Sequence, residues 1–221
     1  MTPSASLSAW SRSSSSLTPV AVDRFEGRIC GVGTREGSRI VVGRWDRSPL
    51  GEFADVMVES RDGHRLLVAP SRAVAEYVGS TYRFDEVRVQ PVAVEESTGR
   101  WDVHAGPVQV AVSFGGRHPL GRVLHAIPAR LATDRRWAAA TDLVARVVLP
   151  GVRTTGSAGG GRRETYCVTD LVAVTTVVGE VFGRDVIALA PVDPPTRFGF
   201  SSTPRTPSLA SVVTYVESPS R

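Results

Sequence analysis

WDRSPLGEFADVMVE, residues Trp45 to Glu59, is the stretch from which the fold can be predicted most directly. A charged turn over residues 46–49 leads through Gly51 into a run that predicts a strand from Glu52 to Glu59. Successive side chains of a strand point to opposite faces. One face then carries Ala54, Val56 and Val58, and the other carries Phe53, Asp55, Met57 and Glu59. The first face is apolar throughout, so it predicts packing against a core.

The second face is a candidate functional surface because it carries two carboxylates, Asp55 and Glu59. Four residues apart on a strand, these groups are ~13 Å from each other, which is too far to share one proton. We expect them to act separately, each paired with an arginine. The face either lies in solvent or lines a cavity, and Phe53 and Met57 beside the acids support the cavity.

Strand patterns continue on both sides of this stretch. Alternating or β-branched apolar runs predict further strands at residues 25–33, 38–45, 64–69, 84–95, 101–105, 108–114, 164–178, 185–190 and 208–217. Pro91 interrupts the fourth of these runs and indicates a bulge or a sheet edge.

Helical spacing follows three start signals. Ser71 suits the N-cap of a short helix that Gly79 would end. Pro119 suits the first turn of a second helix, and Thr133 or Asp134 suits the cap of a third. No strand–helix–strand alternation repeats along the chain. We therefore expect an α+β fold, with a mainly antiparallel, strongly curved sheet or closed β-barrel and a few inserted helices.

The length and composition fit one soluble domain. A chain of 221 residues, 42% hydrophobic and 22% charged, can bury a core without disulfides. We expect a disordered Ser-rich tail over residues 1–22, a single domain over 23–217 and a short tail over 218–221. No apolar run is long enough to span a membrane, and no secretory signal is visible. Cys30 and Cys167 suit buried thiols in the cytoplasm, with one disulfide as the alternative.

All of the basic side chains are arginines, because the 26 residues counted as Lys or Arg include no Lys. Acids and arginines are interleaved along the chain, and the formal net charge is only +4. This pattern predicts a mixed solvated surface and argues against nucleic acid as a partner.

Other candidate motifs are weaker. The glycines of residues 156–161, followed by Arg162 and Arg163, suit an anion-binding loop or a mobile surface loop. The four histidines (His64, His104, His118 and His125) lack metal-ligand spacing, and no G-x-S-x-G elbow is present. We therefore expect neither a metal nor a cofactor. Arg197, followed by Phe198-Gly199-Phe200, either binds a substrate carboxylate at a barrel mouth or borders a packed aromatic corner.

The run Ser48-Pro49-Leu50-Gly51-Glu52-Phe53-Ala54-Asp55-Val56-Met57-Val58 resembles the Ser/Thr-Pro-Val-Gly-Pro-Tyr-x-Glu-Leu-Leu motif of acetoacetate decarboxylase-like proteins. The resemblance implies a strongly curved, largely antiparallel barrel with a central cavity. Asp55 takes the place of the motif's acidic residue and is one methylene shorter. The family's Gly-Arg-x-x-x-Gly-x-Pro-Lys stretch has no counterpart after the predicted short helix. Decarboxylases of this family use a Schiff-base lysine, and a chain without lysine cannot perform that reaction, since arginine stays protonated.

Two hypotheses follow from the sequence. The first is a barrel that binds a small anionic metabolite in its cavity, with Arg47, Asp55, Glu59 and Arg197 as ligand-binding residues and any catalysis of the acid–base type. The second is a non-catalytic structural or protein-interaction domain. They differ in geometry, since the second expects a filled interior with Asp55 and Glu59 in solvent.

Overall fold

The computed structural model of the protein describes residues 21–148, 152–186 and 188–218, with only the backbone at residues 141 and 143–148. Its strands are β1 (Ala21–Thr34), β2 (Arg39–Arg47), β3 (Phe53–Glu59), β4 (Arg65–Ala69), β5 (Glu86–Val89), β6 (Val92–Ser97), β7 (Arg100–Ala105), β8 (Val108–Arg117), β9 (Thr155–Ser157), β10 (Arg163–Val181), β11 (Arg184–Val186), β12 (Leu189–Ala190) and β13 (Ser208–Ser218). Its helices are α1 (Arg72–Thr81), α2 (Pro119–His125), α3 (Ala129–Ala132) and α4 (Arg135–Val148).

One sheet organises the molecule. Its main path runs β5-β4-β3-β2-β1-β13-β10-β8-β7-β6, and the short strands β9, β11 and β12 pair beside it. Neighbouring strands are antiparallel except β4 and β5, which are parallel. Within the described residues, the end strands β5 and β6 do not pair with each other, so the strongly curled sheet forms a half-barrel. This confirms the predicted α+β fold with a strongly curved, mainly antiparallel sheet. Of the two forms predicted, the curved sheet is observed and the closed barrel is not.

The two faces of the strands have different surroundings. On one face the sheet curls over itself, so that side chains from its two halves pack together as the hydrophobic core. Examples are Val42, Val56, Trp101 and Val110, each at most 3% exposed. On the other face α1 packs over β4 and β5, and α2 and α4 pack over β10. The alternation predicted from Phe53 to Glu59 is confirmed, since Val56 and Val58 enter the filled core and their neighbours face the opposite way.

The predicted elements largely match the observed ones. The run over residues 84–95 splits at Pro91 into β5 and β6, because proline cannot donate to a ladder. The Ser71 hydroxyl accepts the Val74 amide at 3.3 Å as the N-cap of α1. The helix continues to Thr81, so the end predicted at Gly79 is wrong by two residues. Asp134 caps α4 by accepting from the Arg136 amide at 2.7 Å.

The tails predicted for residues 1–22 and 218–221 lie mostly outside the described residues. Ala21 and Val22 pair with Ser218 and Glu217, so the first and last strands reach the borders of the described chain. None of the described helices has the length and apolar character needed to cross a membrane.

Candidate functional site

A cavity of about 370 Å³ lies between the second face of the sheet and the helices. Its floor comes from β1, β2, β3, β10 and β13, and its walls come from α1, α2, α4 and the segment 196–204. Most lining side chains are apolar or aromatic. The charged side chains that line it, among the described residues, are Asp55, Glu164 and the exposed Arg153.

Asp55 is the buried acid of the cavity floor, and its side chain is 1% exposed. The Trp45 indole Nε1 donates to Asp55 Oδ1 at 3.0 Å, and Oδ2 has no hydrogen-bond partner among the described residues. Burial raises the pKa of Asp55 to about 7, against a smaller opposing effect of the Trp45 hydrogen bond. The carboxyl therefore exchanges its proton near neutral pH.

Gly43 makes room for this carboxyl. It pairs with Asp55 across β2 and β3, and a β-carbon at Gly43 would lie 2.5 Å from Asp55 Oδ1 and 2.8 Å from Trp45 Nε1. Any larger residue would push the acid and the indole apart. The absence of a side chain at position 43 is thus a local requirement of the Asp55–Trp45 contact.

A second buried carboxyl, Glu164, lies on β10 with two tyrosines. The Tyr82 hydroxyl donates to Glu164 Oε1 at 2.9 Å, the Tyr166 hydroxyl donates to Oε2 at 3.4 Å, and the two hydroxyls contact each other. Burial raises the pKa of Glu164 to about 7 and raises the pKa values of both tyrosines. The tyrosine hydroxyls therefore stay protonated near neutral pH, while the Glu164 carboxyl can gain or lose its proton there.

Aromatic rings form the wall beside Asp55. Phe25 lies 5.6 Å from Trp45 and 5.2 Å from Tyr77, measured between ring centroids, and Phe53 lies 6.4 Å from Trp45. All four rings line the cavity. Such edge-to-face and tilted pairs hold each ring in place, which makes the wall rigid.

Glu59, predicted beside Asp55, is closed off from the cavity. Its carboxylate accepts from Arg197 Nε at 2.7 Å and from the Arg197 amide at 2.8 Å, and Arg39 lies 3.0 Å away. Glu59 is fully buried and Arg39 is 5% exposed. The four-residue spacing therefore puts the two acids on one face, as predicted, but in separate surroundings.

The two predicted arginines lie outside the cavity lining. Arg197 pairs with Glu59 and borders a surface cleft with Arg39, Arg61 and Gly63. Arg47 is exposed and pairs with Glu26 at 2.8 Å. Of the four residues predicted to bind a ligand, the structure brings only Asp55 to the cavity. A purely structural domain was expected to expose Asp55 and Glu59 to solvent. Both carboxyl groups are buried instead.

Sequence reasoning missed Trp45, Tyr82, Glu164 and Tyr166 as site residues. A signal existed for one pair, because Glu164 and Tyr166 are two residues apart in a predicted strand and so share a face. Nothing local relates Tyr82, which follows α1, to residues on β10. That contact bridges 82 positions of sequence, and only the curl of the sheet makes it.

The remaining sequence candidates have structural partners. Arg162 donates to the Tyr77 carbonyl at 3.2 Å and to the Ser80 and Thr81 hydroxyls at 2.7 Å each, and its guanidinium lies over the Tyr77 ring. The glycine loop forms β9 and one 3₁₀ turn.

In the described part of the chain, no three His, Cys, Asp or Glu side chains group to hold a metal ion. Cys30 and Cys167 are buried free thiols, so the alternative of a bridge between them is wrong.

The fold and the site together define a curled half-barrel with an apolar cavity and two buried carboxyls. Among solved structures, the chain is similar to acetoacetate decarboxylase from Legionella pneumophila, with 12% identity, 96% of each chain covered and a TM-score of 0.36. No family model matches the chain, and no curated protein matches it.

Proposed function

We propose that this protein binds a compact small molecule in its cavity, with the apolar body of the ligand against the aromatic wall and its polar end at Asp55. The observation that carries this proposal is the Asp55 Oδ2 atom, which is buried at the edge of an apolar cavity without a hydrogen-bond partner among the described residues. A buried polar atom without a partner is costly, and a ligand donor would remove that cost.

The size of the cavity limits the ligand. At about 370 Å³ it is near the lower end of the range typical of small-molecule sites. The lining is mainly hydrophobic, with a few convergent polar groups that would fix the orientation of the ligand. This combination is the usual character of a ligand pocket.

The charged side chains of the cavity lining argue against the anionic ligand that the sequence favoured. An anionic metabolite would need a buried cation in the cavity. Neither Arg47 nor Arg197 belongs to the lining, and Arg153, the arginine that does among the described residues, is exposed to solvent. The buried charged groups of the lining are two acids, Asp55 and Glu164. A carboxylate ligand would meet like charges in a medium of low dielectric constant, which is unfavourable. A neutral or cationic hydrogen-bond donor fits better.

Binding can be tested by filling the cavity. Ala210 lines it from β13, so Ala210→Phe should occupy part of the space. Ala93→Phe, at an exposed position of β6, is the matched control. Small cyclic alcohols and amines are titrated into each protein by calorimetry, after circular dichroism has confirmed that both variants fold. Binding to the wild type and to Ala93→Phe, with loss in Ala210→Phe, is the expected result. Equal affinity in all three proteins would place the ligand elsewhere and contradict the proposal.

A further inference from the structure

We propose that the polar end of the ligand is a protonated amine, which pairs with Asp55 beside the aromatic wall. This inference rests on the proposed function, because it names the ligand class of the same cavity.

The first observation is the missing countercharge at Asp55. Its only hydrogen-bond donor among the described residues is the neutral Trp45 indole, and Oδ2 has no partner. The other buried carboxylate of β3, Glu59, has two arginines. A buried carboxylate normally has a cation next to it, and at Asp55 the protein supplies none from the described residues.

The second observation is the chemistry around that carboxyl. Trp45 and Phe53 flank it on β2 and β3, and Phe25 packs against both rings. Aromatic rings attract cations through the negative potential of their faces, and tryptophan does so most strongly. An ammonium group at Asp55 would therefore meet an ionic partner and aromatic rings in one place, while an anion would meet neither.

The third observation concerns Glu164, the other acid of the cavity. Its two carboxyl oxygens accept from Tyr82 and Tyr166, and Arg162 lies close enough to favour its ionised form. Glu164 therefore already has donors and a nearby cation. The direct partner of the ligand should be Asp55, and Glu164 should add a weaker attraction from across the cavity.

The test compares three ligands of nearly one shape that differ in charge: cyclohexylmethylamine, cyclohexylmethanol and cyclohexanecarboxylate. Calorimetry at pH 8 should give the amine at least ~10-fold higher affinity than the alcohol, and the carboxylate the lowest affinity. In Asp55→Asn the amine should lose this advantage, while the affinity of the alcohol changes by less than ~3-fold. Glu164→Gln should reduce amine affinity less, and Asp185→Asn, at an exposed position of β11, should leave it unchanged.

A pH series adds a readout that a purely steric effect would not move. Burial raises the pKa of Asp55 to about 7, whereas the alkylamine stays protonated across the series. Amine affinity should fall ~10-fold from pH 8 to pH 6 in the wild type and by clearly less in Asp55→Asn, where only Glu164 still titrates in this range. The other titratable or charged groups lining the cavity in the described residues are Tyr77, Tyr82, Arg153, Glu164, Tyr166 and Cys167. Of these, Glu164 has a pKa of about 7, so the series is repeated in Glu164→Gln.

The outcomes separate the two proposals. If the alcohol binds as tightly as the amine, or Asp55→Asn keeps the preference for the amine, the inference about ligand class is overturned while the cavity remains a binding site. If none of the three compounds binds the wild type, both the binding function and its ligand class are rejected.

Discussion

Asp55 and Glu59 lie four residues apart on the same face of β3, yet they belong to two different regions of the molecule. Around Glu59, the segment after β12 folds over the end of the strand and delivers Arg197, while Arg39 arrives from β2. Around Asp55, the neighbouring strand has a glycine, and the space above the acid is a cavity. Both acids are buried, but among the described residues only Glu59 has cationic partners that compensate its charge.

The difference shows how burial alone fails to indicate a role. A buried carboxylate with two arginines and a backbone amide is a structural device that fixes a crossing segment to the sheet. A buried carboxyl that has, among the described residues, one indole donor and one oxygen without a partner is energetically unfavourable, so it is the better candidate for a binding group. Four predictions separate these roles.

Glu59→Gln should give the largest effect. Removing the carboxylate leaves Arg39 buried without its partner, and breaking a buried ion pair in this way costs about 3–5 kcal/mol of unfolding free energy. Urea denaturation at pH 7 measures the loss. Glu95→Gln, at an exposed position of β6, is the control and should change stability by less than about 0.5 kcal/mol. A loss as small as that of the control would mean that Glu59 does not hold the segment in place.

Asp55→Asn should act in the opposite direction and only at high pH. The native pKa of about 7 exceeds the ordinary value of 3.8, so between pH 4 and pH 7 the native state binds more protons than the unfolded state. Wild-type stability therefore falls as pH rises through this window and the deficit is complete at pH 8. Asp55→Asn has no carboxyl to ionise, so its unfolding free energy at pH 8 should exceed that of the wild type by about 2–3 kcal/mol. This gain is smaller than the whole free energy that corresponds to the pKa shift, because the asparagine amide is also polar and buried.

Unfolding free energies of the wild type and Asp55→Asn at pH 4, 6 and 8 test this sign. The two proteins should converge at pH 4, and Asp185→Asn should follow the wild type at every pH. If Asp55→Asn were less stable than the wild type at pH 8, Asp55 would have a stabilising partner and would resemble Glu59.

Adjacent valines on β2 test the two faces of the sheet. Val42 is 1% exposed in the filled core, and Val41 lines the cavity. Val42→Ala removes two methyl groups from close packing and should cost about 2 kcal/mol. Val41→Ala only enlarges an existing space and should cost less than about 1 kcal/mol. Thermal unfolding of both variants measures the difference, and equal losses would mean that the cavity wall packs as densely as the core.

Arg197→Ala should give the smallest effect. Its side chain is 66% exposed, so solvent screens its attraction to Glu59, and Arg39 remains as a partner. We expect a loss of about 1 kcal/mol in urea denaturation, and no change in the affinity of a cavity ligand. A drop in ligand affinity without a drop in stability would return Arg197 to the binding site that the sequence assigned to it.

Much of the fold could be predicted because its signals are local. The alternation of Val56 and Val58 with Asp55 and Met57 identified β3 and its two faces, and Pro91 marked the gap between β5 and β6. These predictions depend only on the period of a strand and on the missing amide of proline. The choice between a solvent face and a cavity needed neighbours that are distant in sequence.

The candidate site was predicted only in part, for the same reason. Asp55 was identified because its own strand reports its face, but Glu164 and Tyr82 meet only through the curl of the sheet. Arg197 was expected at the cavity on the strength of its aromatic neighbours. Phe198 does line the cavity, while the guanidinium turns to Glu59. Side chains of adjacent residues can point to different regions of the molecule. The motif alone does not indicate whether the arginine points into the cavity or away from it.

The sequence by itself determined the strands, their buried face and the absence of lysine, which excludes a Schiff base on a lysine side chain whatever the fold. The tertiary structure alone decided which of two equivalent acids is neutralised and which faces an open space. That decision depends on long-range contacts, namely the return of residues 196–204 over the sheet and the approach of β10 to α1. The strength of a carboxyl's charge is set by the dielectric and the partners around it, and the chain supplies those only when it is folded.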